Sequence, residues 1–135
     1  MSFYSQTLEL PTQKKSEMID VTKRVRGIVA QSGVQNGLVS VFCSHTTGAV
    51  TLNENTDPNV QTDILNALEH AVPRDYKYYK HEEGNAPAHA KAVIVGFSET
   101  VPIVAGKLGL GTWQAIFFCE FDGPRNRKLT VTVIG

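Results

Sequence analysis

The chain has 135 residues, of which 41% are hydrophobic and 19% charged, and its 13 Lys and Arg balance its 13 Asp and Glu. These proportions exclude a disordered chain and a membrane protein, and the length fits one domain with a sizeable core. Zero net charge disfavours general nucleic-acid binding, which needs cations to neutralise phosphates, and it provides little repulsion between copies of the chain.

Two further features bear on the compartment. No apolar run reaches the roughly 20 residues that span a bilayer, and the first residues lack the basic and apolar regions of a secretory signal. Cys43 and Cys119 lie inside apolar runs and are predicted to be reduced, buried thiols that pack as small hydrophobic side chains. The sequence therefore predicts a cytoplasmic protein with no membrane partner.

The first half of the chain predicts three strands and two helices. Residues 3–10 alternate loosely up to Pro11, which is typical of an edge strand. Asp20 is a candidate cap for a helix that ends before Gly33. Asp57-Pro58 is a clear start for a second helix, because it joins an N-cap acceptor to a proline in the first turn. The other two strands are predicted at residues 37–43 and 49–53.

The second half begins with a polar stretch without periodicity, residues 74–87. A stretch of this length inside a compact domain is more often a functional loop than a mere connector. Residues 88–96 fit either a short helix or a strand. Strands are predicted at residues 100–105, 112–121 and 128–134, with a turn at Asp122-Gly123-Pro124. Two or three helices on a largely antiparallel sheet indicate a single α+β domain over residues 1–135.

Three histidines are candidates for chemistry. His45, His81 and His89 lie in polar segments, whereas His70 is predicted in the last turn of the second helix, where a cation complements the helix dipole. Imidazole is a common metal ligand, and three protein ligands with one open position form the usual catalytic zinc site. The spacing encodes no such site, because His81 and His89 are eight residues apart across a loop that contains proline. From spacing alone, ordinary surface histidines are the favoured interpretation.

Some carboxylates have a structural role that the sequence explains, and others do not. Asp57 is accounted for as a helix cap, whereas Glu54 has no structural explanation. Glu120 ends a strand with two apolar faces, where a carboxylate is costly unless it is paired, and Arg125 is the nearest candidate partner. Two interpretations stand about even: a salt-bridged hairpin end, or a pocket in which Glu120 is an acid, base or metal ligand and Arg125 grips an anion.

Six blocks of the sequence, in order, carry a resemblance to a known family. They are Ser44-His45-Thr46-Thr47, Asn53-Glu54-Asn55-Thr56-Asp57-Pro58, and residues 81–91, 102–106, 110–114 and 120–125. Together they are similar to the YjbQ family, whose members are often called secondary thiamine-phosphate synthases. The resemblance covers nearly the whole chain.

The resemblance implies a β-sandwich-like α+β domain that assembles as a homotrimer, with a pocket near the subunit boundary. It also implies that His45, His81 and His89 converge as ligands of a divalent metal. Nitrogen donors favour zinc, and magnesium is an alternative with a phosphate substrate. The implied activity is weak thiamine-phosphate synthesis, which joins a pyrimidine diphosphate to a thiazole phosphate and releases pyrophosphate.

Three functions are compatible with these features. The first is an enzyme acting on a phosphorylated small molecule, in which Glu54 or Glu120 moves protons and Arg125 binds a phosphate. The second is metal-assisted hydrolysis of phosphate or acyl compounds. The third is a non-catalytic ligand-binding module with a structural ion at a subunit interface. The polar residues predicted to contact the substrate, besides Arg125, are Thr46, Thr47, Asn55 and Asn85.

Overall fold

A computed structural model describes the whole chain, residues 1–135. The three helices are α1 (Thr22–Ser32), α2 (Pro58–Ala71) and α3 (Ala86–Val95). The eight strands are β1 (Phe3–Pro11), β2 (Glu17–Asp20), β3 (Gly37–Cys43), β4 (Gly48–Glu54), β5 (Ser98–Val104), β6 (Lys107–Leu108), β7 (Gln114–Glu120) and β8 (Asn126–Ile134). None of the helices has the length and apolar character needed to cross a bilayer.

The strands form two antiparallel sheets. Five strands are ordered β1-β8-β3-β5-β6, and the other three are ordered β2-β7-β4. One core cluster joins side chains of both sheets to the buried face of α1; its members include Val25, Ile28, Val39, Val131, Ile116 and Phe118. This arrangement confirms the predicted α+β class with a mostly antiparallel, sandwich-like sheet structure.

Strand β7 is the centre of the smaller sheet and is buried on both faces. Ile116 and Phe118 belong to the main core, whereas Cys119 on the opposite face packs in a second cluster that includes Ala88 and Ala92 of α3. Successive side chains of a strand alternate between faces, so both faces need apolar partners here. The prediction of a central strand covered on both sides is confirmed.

The start of α1 differs from the sequence expectation. Asp20 is the last residue of β2 and the N-cap position belongs to Val21, so the prediction that Asp20 caps the helix was wrong by one position. The Asp20 carboxylate still accepts a hydrogen bond from the backbone N–H of Thr22 at 2.8 Å. Asp20 therefore accepts from the first backbone N–H of α1, although Asp20 itself belongs to β2.

The other two helices follow local signals. Asp57 caps α2 as predicted, since its Oδ1 accepts from the backbone N–H of Asn59 at 2.9 Å. Residues 88–95 resolve as helix rather than strand and Gly96 is the C-cap; α3 begins at Ala86, so the polar stretch ends at Asn85. Pro87 lies in the first turn of α3, where its missing N–H costs nothing and its fixed φ suits a helix.

Candidate functional site

Three of the four histidines line one polar cavity of about 430 Å³, which we call the histidine cavity. His45, His81 and His89 contribute to its wall, and no hydrophobic residue does. Four of the predicted substrate contacts line the same cavity, namely Thr46, Thr47, Asn85 and Arg125. The fold therefore brings together residues that are far apart in the chain.

Two of the histidines contact each other. His81 lies in the loop before α3 and His89 lies in the first turns of that helix. Their ring centroids are 5.1 Å apart and the ring planes meet at 87°, an edge-to-face contact. The start of α3 at Ala86 places His89 close to the loop, so the local fold of residues 81–89 sets this pair.

The third histidine is fixed by the larger sheet. His45 follows β3, and its Nε2 accepts a hydrogen bond from the backbone N–H of Lys128 on β8 at 2.9 Å. Burial lowers the pKa of His45 below its ordinary value, and the positive charge of Arg127 lowers it further. An imidazole that accepts at Nε2 and is held neutral carries its proton on Nδ1.

The three imidazoles of the histidine cavity are ligands of a type that divalent transition metals prefer. The side chains as placed do not form a three-ligand centre, because no three His, Cys, Asp or Glu groups lie close enough to share one ion. The Nε2 lone pair of His45 is directed to Lys128. Asn85 Oδ1 is buried without a hydrogen-bond donor, so one residue of the wall holds an unsatisfied acceptor that is not exposed to the cavity.

The charged centre behind the cavity is an ion pair between Glu120 and Arg127. The Glu120 side chain is 0% exposed and that of Arg127 is 4% exposed. Arg127 Nε donates to Glu120 Oε1 at 2.8 Å, and its Nη2 donates to Oε2. Thr12 Oγ1 donates at 2.7 Å and the backbone N–H of Asp122 at 3.0 Å, so four hydrogen bonds fill the carboxylate.

These contacts correct the expectation for Glu120. Arg127, not Arg125, is its partner, and the carboxylate does not line the histidine cavity. Burial alone would raise the pKa of Glu120, but the hydrogen bonds from Arg127 and Thr12 outweigh it and lower that pKa. A fully occupied, ionised carboxylate has no free position for proton transfer, and its contacts are those of a structural ion pair.

Arg125 is anchored by Asp122 at the edge of the cavity. Its Nε donates to the Asp122 carbonyl and its Nη2 donates to Asp122 Oδ2, both at 2.8 Å. Burial would raise the pKa of Asp122, but hydrogen bonds from Asn85, Lys15 and Arg125 hold it well below its usual range. Arg125 Nη1 has no protein acceptor, and the side chain is 51% exposed. Its guanidinium therefore keeps donors for an anion.

The structure does not bring Glu54 or Asn55 into the histidine cavity, contrary to expectation. In the pairing of β4 with β7, Gly48 lies opposite Glu120 and Glu54 lies opposite Gln114. Glu54 is thus six residues along the strand from the cavity end, about 20 Å at about 3.4 Å per residue. The linear order of the six blocks could not reveal this separation.

Sequence reasoning missed Arg127, Ser44 and Glu83, which also line the cavity. A signal for Arg127 was available. It precedes Leu129, Val131 and Val133 at alternate positions of β8, and all four are buried. An arginine on the apolar face of a strand predicts a buried anionic partner.

Comparisons with known proteins identify the family of the chain. The family model described as "UPF0047 protein YjbQ-like" matches residues 6–135. The chain belongs to the UPF0047 YjbQ-like family. The UPF0047 protein YugU of Bacillus subtilis is 43% identical to this YjbQ-like chain, with 96% of the chain and 98% of the relative covered. A UPF0047 protein of Methanothermobacter thermautotrophicus is 45% identical, with coverage of 100% and 94%.

Solved structures share the fold of this YjbQ-like chain. A YjbQ/UPF0047 family protein from Clostridium acetobutylicum superposes with a TM-score of 0.93 at 48% identity, covering 96% of the chain and 99% of that protein. A YbjQ-like protein of unknown function from Sulfolobus solfataricus superposes with a TM-score of 0.95 at 35% identity, covering 98% and 97%. The agreement extends over nearly the whole chain in both cases.

Proposed function

We propose that the chain is an enzyme that acts on a phosphorylated small molecule in the histidine cavity. The observation that carries this proposal is the wall itself, where three imidazoles and the anchored guanidinium of Arg125 converge without any hydrophobic residue. A cavity of about 430 Å³ suits a small ligand, and such a wall suits a charged one.

Anion binding falls to Arg125. Asp122 holds one edge of the guanidinium, which leaves Nη1 free to donate to a phosphate oxygen. The Asp122 charge is already shared with Lys15 and Asn85, so it repels an incoming anion less than a lone carboxylate would. Thr46 supplies an exposed hydroxyl at the same wall.

As long as no cation occupies their nitrogens, proton transfer falls to His81 and His89 rather than to Glu54 or Glu120. His45 is held neutral and its Nε2 accepts from Lys128, so its Nδ1–H is a hydrogen-bond donor to the ligand rather than the acid or base. His81 and His89 lie side by side and expose polar nitrogens to the same space. Imidazoles have the pKa range in which an acid or base works near pH 7.

A divalent cation, zinc by the nitrogen donors, would be held by His45, His81 and His89 in this proposal. When bound, such a cation polarises a phosphoryl oxygen or a water molecule. His45 would first have to release the backbone N–H of Lys128, and Asn85 would have to turn its buried Oδ1 toward the cavity to add an oxygen ligand. Binding of magnesium through substrate phosphates is the alternative, since that ion prefers oxygen ligands.

The family resemblance suggests one reaction of this class. In thiamine-phosphate synthesis, a thiazole phosphate displaces pyrophosphate from a pyrimidine diphosphate, and Arg125 would bind the departing anion. Hydrolysis of phosphate or acyl compounds would use the same residues with water as the nucleophile, and a non-catalytic ligand-binding trimer would use them for binding alone. Activity assays with the pyrimidine and thiazole substrates, and with phosphate and ester panels, separate these reactions.

Replacement of His89 with Ala tests the proposal. The variant is expected to lose turnover by about 100-fold, because a positioned imidazole contributes about that much to proton transfer. Bound metal, measured by elemental analysis, is expected to fall in parallel. His70→Ala is the matched control, because this fourth histidine is exposed on α2 and does not line the cavity. Full turnover and full metal content in a folded His89→Ala protein would remove the proposal.

We also propose that the chain forms a homotrimer. Val39, Val41 and Cys43 of β3 face the core, so Leu38 and Phe42 lie on the outer face of the larger sheet, 51% and 45% exposed. Exposed apolar side chains on a sheet face suit an association surface, and the number of three copies is what the family resemblance implies. The other exposed apolar residues of this sheet are Phe3, Val104 and Ile134.

Sedimentation equilibrium is expected to give three times the chain mass of 14.8 kDa. Phe42→Glu is expected to shift the protein toward single chains, because burying an unpaired carboxylate in the contact is costly. Leu52→Ala in the smaller sheet serves as a control for a general loss of packing. A native protein that sediments as one chain at all concentrations would contradict this assembly.

A cytoplasmic location is also part of the proposal. Cys43 and Cys119 are both free and buried. Burial raises the pKa of Cys119 to about 12, which keeps that thiol protonated and unreactive. Two reduced, protected thiols suit a reducing compartment.

A further inference from the structure

We infer that a second cavity, at the other end of the smaller sheet, binds a small aromatic phosphate of the nucleoside monophosphate class. This tryptophan cavity has a volume of about 500 Å³ and is lined by Asp20, Lys23, Arg26, Asn55 and Trp113 among others. It shares no residue with the histidine cavity, so the inference goes beyond the proposed function and does not rest on it.

The aromatic wall of this cavity is a tryptophan on a firmly held turn. Residues 112–113 form a turn and not the start of β7 as predicted, because Gln114 N–H donates to the Gly111 carbonyl at 3.1 Å. Gln114 Oε1 in turn accepts from Gly111 N–H at 2.9 Å. Trp113 at this turn is 62% exposed. A large ring presented by an ordered turn is preorganised to stack on another ring.

Two unpaired cations stand beside the ring. Lys23 and Arg26 lie three residues apart on α1, so they share one face of the helix. Both side chains line the cavity, both are exposed, and neither forms a salt bridge. Cations without a protein partner next to an exposed aromatic ring suit a ligand that carries both an aromatic ring and a phosphate.

The one carboxylate of the lining is already satisfied. Asp20 accepts hydrogen bonds from Thr22 N–H and from the Asn55 amide, and Asn55 Oδ1 accepts from Gln61 at 3.0 Å. The lining therefore keeps an excess of positive charge for an anion. This network also gives Asn55, which the sequence predicted as a substrate contact, a place in a ligand site distinct from the histidine cavity.

The size of the tryptophan cavity favours a mononucleotide over a single-stranded nucleic acid. Single-stranded nucleic acids need a basic groove with a succession of aromatic rings, and this cavity offers one exposed ring and two cations. Base stacking on tryptophan tolerates every base, because every base has an aromatic face. The cavity is therefore expected to discriminate by the phosphate more than by the base.

Fluorescence titration of the full chain tests this inference directly, because Trp113 is the only tryptophan. Adenosine monophosphate is expected to quench its emission with a saturable curve. Adenosine is expected to bind about tenfold more weakly, since it lacks the charged group that the cations bind. Arg26→Ala is expected to weaken the monophosphate about tenfold and to leave adenosine unchanged.

Arg24→Ala is the matched control for loss of one positive charge on α1, because Arg24 does not line the cavity and donates instead to the Glu9 carbonyl at 2.8 Å. It should bind adenosine monophosphate as the native chain does. Absence of saturable quenching by any of the four common monophosphates at millimolar concentration would overturn the inference. Trp113 emission that responds to protein concentration but not to added monophosphate would overturn it as well. So would tighter binding of an oligonucleotide than of the monophosphate.

Discussion

Replacement of Arg127 with Met is expected to lower the free energy of unfolding by about 3–5 kcal/mol. The substitution removes the guanidinium that supplies two of the four hydrogen bonds to Glu120. Since the Glu120 side chain is 0% exposed, its charge would remain in the protein interior without a cation or water. Urea unfolding at one fixed protein concentration measures the effect, because assembly makes stability depend on concentration.

The double variant Glu120→Leu with Arg127→Met separates the buried charge from the lost packing. Replacing both members of a buried ion pair with apolar residues of similar volume is often close to neutral, so this protein is expected to recover about half of the loss or more. Full recovery is not expected, because the backbone N–H of Asp122 loses its acceptor and Thr12 Oγ1 keeps only the Arg125 carbonyl, at 3.1 Å.

Lys128→Met is the control for the Arg127 experiment. Lys128 is the next residue of β8 and its side chain is exposed, so its loss is expected to change stability by less than about 0.5 kcal/mol. Equal stability of Arg127→Met and Lys128→Met would show that the ion pair contributes nothing to the fold. A double variant less stable than Arg127→Met would show that packing outweighs the charge.

The secondary structure was predictable wherever a short segment has a local sequence pattern that is typical of a helix or a strand. Asp57-Pro58 starts a helix by itself, and the two apolar faces of β7 predict a central strand. Strand β2 carries no such signal. Its four residues show no alternation and are ordered by pairing, with Met18 opposite Cys119. Only the tertiary fold makes that segment a strand.

The candidate site was predictable by residue type but not by position. Polar segments singled out His45, His81 and His89, yet it is the pairing of β3 with β8 that carries His45 to Lys128. Nearness in the chain pointed to Arg125 as the partner of Glu120. The alternation of β8 buries Arg127 instead, which shows that strand period is a better guide to ion pairs than sequence distance.

Acid is expected to destabilise the protein through Asp122 and Glu120. Both carboxyls have lowered pKa values in the folded chain, from ordinary values of 3.8 and 4.5. The unfolded chain therefore binds protons at a higher pH than the folded chain does, and stability falls as pH falls through this window. Their contribution is fully present above the ordinary values and is lost progressively as pH drops toward the folded ones.

The Asp122→Asn variant assigns the Asp122 part of this effect. At pH 7 it is expected to be less stable than the native chain by more than about 1.4 kcal/mol, the equivalent of one pKa unit. The difference should shrink as pH falls below 3.8, because the native carboxyl then becomes protonated and neutral too. Urea unfolding at several pH values measures it, and a difference that stays constant with pH would contradict the assignment.

Salt distinguishes the two carboxyls within the same acid transition. The cationic partners of Asp122, Lys15 and Arg125, are 53% and 51% exposed, so dissolved ions screen their attraction. Arg127 beside Glu120 is 4% exposed and is shielded from those ions. Raising the salt concentration at pH 7 is therefore expected to reduce the cost of Asp122→Asn while leaving the cost of Arg127→Met nearly unchanged. Equal salt sensitivity of the two variants would mean that the Glu120–Arg127 pair is open to solvent.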